Sequence, residues 1–267
     1  MNFFFIIETD KKFFSIYGIN FYWYGMSYAI GFLISMFIIR ILNEKSSYVE
    51  ITDKSLDSLF FFLIMGVVLG GRIGYVLFYN PLHYLHNFNE IYKTWEGGMS
   101  FHGGLIGTAL ALKLFCAKQK IQFSKISDLV CVSVPISLFF GRIANFTNGE
   151  LYGKPTNLPW AVIFKSIDNI PRHPSQLYEA ITEGLILFII MIYLWNKKRK
   201  IWKSGTFSGC FLIFYSIMRI ICEIFRVPDY QIGYIKKYFT QGQILSIIMI
   251  LFGFYFIYIC NKKQNYI

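Results

Sequence analysis

The stretch GRIANFTNGELYG, residues 141–153, closes an apolar run that reads VCVSVPISLFF and sets Arg142, Asn145, Asn148 and Glu150 within ten residues. A guanidinium offers paired donors to an oxyanion, and asparagine three residues on, on the same helix face, adds a neutral donor. That combination suits a phosphate. Glu150 does not belong on a purely anion-binding surface, so it either orients the arginine or handles protons. A second set, Tyr215, Arg219 and Glu223, is spaced i, i+4, i+8 within FYSIMRIICEIF and shares one helix face. It projects a hydroxyl and a charge pair from an apolar segment. Arg72, in LGGRIGYVLFYN, is a third arginine in apolar surroundings. A central intramembrane arginine costs about 2.5–3.5 kcal/mol on insertion scales, so three of them call for partners, a water-filled cavity or an anionic ligand. His102, ahead of Gly103 and Gly104, is either a hydrogen-bonded structural residue or, beside arginines, the group that accepts a proton near neutral pH.

The elements that carry these residues are membrane spans. The chain has 267 residues, 55% hydrophobic and only 15% charged, with mean hydropathy +0.47, whereas soluble domains carry nearer a quarter charged residues. Runs of about 20 mainly apolar residues, enough to cross a bilayer, fall near 21–41, 56–78, 99–117, 127–147, 176–196, 205–225 and 242–260. The third is the weakest, because it opens with glycines and a histidine. The expectation is an all-α polytopic membrane protein, a single integral domain over 1–267 with seven transmembrane helices. The loop 148–175, with its own LPWAVIF segment, is expected to pack as a small cap between spans four and five. Lys and Arg are denser on the side holding Arg40, Lys45, Lys118, Lys120, Lys125 and KKRKIWK, which places that side in the cytoplasm, the N-terminus outside and the C-terminus inside. RHPSQLYEA reads as a helix start at Pro174 and Ser175, with His173, Gln176, Tyr178 and Glu179 no more than its first turn.

Other functions are disfavoured. The net charge of +11 sits mostly between apolar runs, a topology and lipid-surface signal rather than a nucleic-acid face. Cys116, Cys131, Cys210, Cys222 and Cys260 form no C-x-x-C pair and read as small core residues. His83 and His86 have no cysteine or carboxylate completing a metal set, so neither a metal nor a cofactor is expected. The N-terminal MNFFFIIETDKKFF lacks the basic start and cleavage site of a signal peptide and is expected to be retained. A transporter of an anionic metabolite also fits buried arginines, but the paired repeats common in such proteins are not visible.

Taken together, GRIANFTNGELYGKPT (141–156), GGRIGYVLFYN (70–80), WEGGMSFHGG (95–104), RHPSQLYEA (172–180) and RIICEIFRVPD (219–229) resemble the bacterial phosphatidylglycerol to prolipoprotein diacylglyceryl transferase family, in its motif order and over nearly the whole chain. The resemblance implies a seven-span inner-membrane enzyme, in which the outside placed by the charge count is the periplasm. Its expected reaction moves diacylglycerol from phosphatidylglycerol to the lipobox cysteine thiol of a prolipoprotein signal peptide, giving a thioether and sn-glycerol 1-phosphate. Arg142 matches the family's phosphatidylglycerol-binding arginine, and Asn145, Glu150 and Gly153 match other positions of that signature. His102 matches the H-G-G histidine, Tyr215, Arg219 and Glu223 the sixth-span set, and Tyr24 a first-span tyrosine. Ala144, Thr147 and Lys154 depart from the usual signature residues without removing a charge. In the expected chemistry Arg142 and Arg219 hold the phosphate, and His102, assisted by Glu150 or Tyr215, takes the thiol proton.

Overall fold

A computed structural model describes residues 5–7, 12–16, 19–45, 48–49, 51–79, 81–94, 98–228, 233–235 and 238–263. Asn80, Trp95, Glu96, Gly97 and Asp229 of the motifs quoted above lie outside the described residues, as does the side chain of His102. Helices stand at all seven positions where the apolar runs place them: α1 (Trp23–Glu44), α2 (Asp53–Phe78), α4 (Phe101–Gln119), α5 (Phe123–Asn148), α6 (Ser175–Glu179) continued into α7 (Leu187–Lys198), α8 (Thr206–Cys222) and α9 (Gln241–Lys263), with a short α3 (Pro81–His86) between α2 and α4. Among the described residues, five helical segments are long and apolar enough to cross a membrane: Trp23–Glu44, Asp53–Phe78, Phe123–Asn148, Ser175–Lys198 and Gln241–Lys262. Helix α8 is apolar but has only 17 residues.

The chain divides into two compact units, one formed by Met1–Ile39 with Asp128–Ile267 and the other by Arg40–Ser127. In the second unit, α2 and α4 pack backbone to backbone. A Cβ on Gly107 would lie 2.2 Å from the Gly66 carbonyl oxygen, and one on Gly70 would lie 2.5 Å from the Gly103 carbonyl oxygen. The glycines that dilute the hydropathy of α4 are therefore its contact surface, since membrane helices associate through close packing of small residues. Ser100 caps α4, its Oγ accepting from Gly103 N at 3.2 Å. The Arg72 guanidinium donates to three main-chain carbonyls, those of Ile91 (2.7 Å), Glu90 (2.6 Å) and Gly98 (3.1 Å), and lies over the Tyr84 ring. It ties the chain after α3 to α2, a structural task that accounts for one of the three costly arginines.

In the first unit, Asp128 of α5 is fully buried and accepts from Gly205 N (2.7 Å), Ser208 N (2.7 Å) and Ser208 Oγ (2.6 Å). A carboxylate from a neighbouring helix thus satisfies the free N–H groups at the start of α8, where Gly205 itself has no capping side chain. The fold also carries short strands absent from the all-helical expectation. β2 (Lys12–Ile16) pairs antiparallel with β3 (Ile19–Tyr22), and β5 (Tyr234–Ile235) with β6 (Phe239–Thr240). β1 (Phe5–Ile7) pairs in parallel with β4 (Val162–Phe164), inside the loop between α5 and α6. Strands of two to five residues offer too little alternation to register in a sequence scan. The loop has a core of its own in Ala161, Val162 and Phe164, and Phe164 packs edge-on against Phe146 of α5 at 5.8 Å.

Candidate functional site: a buried arginine and glutamate cluster

The last turns of α5 bring Arg142 and Asn145 into the cluster, and α8 brings Arg219 and, just past its end, Glu223. Between them stands the helix that begins at Ser175. Glu179 and Glu183 are four residues apart, hence on one face, and both are fully buried. The helix widens into a π stretch over Ala180–Ile186, a rare geometry frequent at functional sites. Glu179 bridges the arginines: its Oε2 lies 3.0 Å from Arg142 Nη1 and its Oε1 accepts from Arg219 Nη1. Glu183 does the same less closely, with Oε2 3.1 Å from Arg142 Nη2 and Oε1 3.4 Å from Arg219 Nη1. Arg219 Nη2 donates to Glu223 Oε1, and Arg226 Nη1 lies 3.5 Å from Glu223 Oε1 and 3.7 Å from Glu179 Oε1. Three guanidinium groups and three carboxylates thus share one buried cluster, with paired donors converging from α5 and α8. Tyr215 stands one turn before Arg219, within electrostatic reach of Arg142, Arg219 and Glu183.

Two expectations about this region change. Glu179 is more than part of a helix's first turn: it is the most connected carboxylate of the cluster. Among the described residues, Glu150 is bonded to the two amides of the signature and not to Arg142. Its carboxylate accepts from Asn145 Nδ2 at 3.4 Å and Asn148 Nδ2 at 3.3 Å, so the amides of the signature turn toward Glu150. The segment is pinned from α6 as well, with Gln176 Nε2 donating to the Glu150 carbonyl at 2.6 Å and Ser175 Oγ to the Leu151 carbonyl at 2.9 Å. Gly153 sits where a Cβ would meet the His173 carbonyl at 2.3 Å and the Phe225 carbonyl at 2.9 Å, which ties the loop to the end of α8. His173 Nδ1 lies 3.2 Å from the Tyr178 hydroxyl, and burial, with Lys154 nearby, holds its imidazole below the ordinary value.

Tyr24, on the first turn of α1, donates to the Tyr28 hydroxyl at 3.3 Å, and Tyr28 lies against Gly141, whose Cβ would be 3.2 Å from that hydroxyl oxygen. Tyr24 therefore reaches the Arg142 segment through a second tyrosine. His102 falls on the first turn of α4 in the second unit. His83 Nε2 lies 2.8 Å from Glu90 Oε2, a contact that lowers the Glu90 carboxyl below its usual range.

A family model described as prolipoprotein diacylglyceryl transferase matches residues 11–259, nearly the whole chain and every helix of the cluster. The chain belongs to the prolipoprotein diacylglyceryl transferase family. It is similar to the phosphatidylglycerol–prolipoprotein diacylglyceryl transferase of Rickettsia felis, with 50% identity over 250 residues, 94% of this chain and 96% of the relative. The enzyme of the same name from Rickettsia bellii is 52% identical over 235 residues, 88% and 89% of the two chains, and that of Rickettsia typhi 50% identical over 250 residues, 94% and 96%. Within this family member, Glu183, Arg226 and Tyr28 are residues of the cluster and its border to which the motifs gave no role, and Glu179 is one to which they gave only a helix start. A signal for two of them was present, since two glutamates four residues apart in an apolar run are as anomalous as the arginines.

Proposed function

We propose that this chain transfers the diacylglyceryl group of phosphatidylglycerol to the thiol of a prolipoprotein's lipobox cysteine, forming a thioether and releasing sn-glycerol 1-phosphate. The observation that carries the proposal is the pair of largely buried guanidinium groups, Arg142 and Arg219, converging from two helices in a member of this family. The thiolate sulfur attacks the glycerol carbon, a C–S bond forms, and the C–O bond to phosphate breaks with its electron pair on the phosphate. Arg142 and Arg219 hold the phosphate and stabilise charge building on the leaving group, as preorganised donors do. Asn145, Gly153, Glu223 and Tyr24 shape the lipid site. His102 accepts the thiol proton, with Glu150 or Tyr215 assisting, because a free thiol with a pKa near 8.5 reacts as its thiolate.

In the same reading the seven helices are seven spans of the inner membrane, with the N-terminus periplasmic and the C-terminus cytoplasmic, and residues 148–175 form a periplasmic cap. Both substrates carry hydrocarbon, so they enter sideways from the bilayer, and glycerol phosphate leaves to water. The test incubates purified protein with phosphatidylglycerol and a peptide bearing the lipobox cysteine. The expected result is the diacylglyceryl mass increment on the peptide, lost in Arg142→Ala. A folded wild-type protein that gives no increment refutes the proposal.

A further inference from the structure

The charges of the cluster balance before any lipid arrives. Among the described residues, Arg142, Arg219 and Arg226 face Glu179, Glu183 and Glu223 at ion-pair distance. A phosphodiester brings one negative charge. Set between Arg142 and Arg219, it leaves a buried group of carboxylates and phosphate with one charge too many. Like charges sharing a buried site do not all stay ionised; the least supported one takes a proton.

The contacts single out that group. Glu179 touches all three arginines. Glu223 is bonded to Arg219 and faces Arg226. Glu183 has two contacts, 3.1 Å to Arg142 and 3.4 Å to Arg219, and both donors are the ones a phosphate between those arginines would claim. Among the described residues, the titratable and charged groups around Glu183 are Arg142 from α5, Tyr215, Arg219 and the Cys222 thiol from α8, and Glu179 from its own helix. No further cation among these neighbours is left to neutralise it once the arginines turn to phosphate.

We propose that phosphatidylglycerol binds this site together with one proton, taken up by Glu183, so that the lipid phosphate replaces the Glu183 carboxylate between Arg142 and Arg219. The proton comes from water, no covalent bond changes, and Glu183 acts as a positioning residue through the two arginines. This rests on the reading that the lipid substrate is phosphatidylglycerol. By linkage, a site that gains a proton with its ligand loses affinity about tenfold per pH unit wherever free Glu183 is ionised and bound Glu183 is not.

The experiment titrates the protein, in nanodiscs of neutral lipid, with short-chain phosphatidylglycerol by calorimetry in two buffers of different ionisation enthalpy. The expected result is uptake of about one proton per lipid bound, with affinity falling as pH rises. In Glu183→Gln the uptake vanishes and affinity becomes flat with pH. The carboxylic-acid C=O band that appears in the infrared difference spectrum of wild type on binding is missing from the variant. Lipid binding to wild type without proton uptake overturns the inference, and so does uptake that persists in folded Glu183→Gln. Should the variant fail to fold, the wild-type calorimetry and infrared band decide alone. None of these readouts needs turnover. Binding with proton uptake but no thioether product refutes only the transferase reading, whereas thioether formation without uptake refutes only this inference.

Discussion

Replacing Glu179 with alanine removes a fully buried carboxylate from three guanidinium groups. Removing one partner of a buried ion pair costs about 3–5 kcal/mol, because the other charge stays behind uncompensated. The lower end applies here, since Arg142 keeps Glu183, Arg219 keeps Glu183 and Glu223, and Arg226 keeps Glu223. About 3 kcal/mol corresponds to a fall of roughly 6–12 °C in the unfolding midpoint of a chain of this size. That loss should show fully only in neutral lipid. With phosphatidylglycerol present, the phosphate supplies the missing negative charge and no longer displaces a carboxylate to do so. Lipid at a hundred times its dissociation constant adds about 2.7 kcal/mol, and because the variant should bind more tightly, its gain should exceed that of wild type at equal lipid. The assay is thermal unfolding followed by fluorescence in nanodiscs of neutral lipid, with and without phosphatidylglycerol. Equal stability of the two proteins in neutral lipid, or an equal gain from phosphatidylglycerol, refutes the reasoning that Glu179 holds the place of an anion.

Gly107→Leu should destabilise the second unit by about 3 kcal/mol or more, because the atoms its Cβ meets at 2.2 and 2.7 Å are backbone of α2 and cannot rotate away; Leu110→Ala, on an exposed position of α4, should leave the midpoint nearly unchanged. Asp128→Ala should cost about 3 kcal/mol by stranding the donors at the start of α8, and Asp128→Asn about half that, as read by unfolding in detergent. The Arg172 guanidinium holds the Asp168 carboxyl below its ordinary value. That contribution is fully present above the ordinary carboxylate range and is lost as pH falls through the depressed value, so hydrogen exchange in residues 161–173 should rise on acidification in wild type. In Asp168→Asn it should be flat with pH, and the pair itself is worth about 1 kcal/mol at most.

The helices were legible because a bilayer demands length and apolarity, and these are local properties. α4 was the faintest for a physical reason: its glycines lower hydropathy while serving as a contact face, a role that exists only once Gly66, Gly70 and Gly74 of α2 lie opposite. Arg142, Arg219 and Glu223 stood out as charges in apolar runs, and the structure gathers them. Glu179 was hidden inside a sequence that also makes a good helix start, and Arg226 in what reads as an ordinary loop. Arg72 illustrates the opposite case: the same cost signal leads to main-chain carbonyls whose position depends on the loop path. The pairing of β1 with β4 joins residues more than 150 apart, so no local pattern announces it.

The π stretch at Ala180–Ile186 is a phase step in an otherwise continuous helix. One residue taken out of it would let the segment close into a regular α-helix with its flanks nearly in phase, whereas closing it with every residue kept would turn everything before it by about 100° relative to α7. Gln176, Glu179 and Glu183 would swing off the arginines together, with every charged residue of the cluster still in the chain. The π geometry therefore sets the alignment of this site separately from its inventory, and makes helix phase, as well as side-chain identity, a quantity on which selection can act.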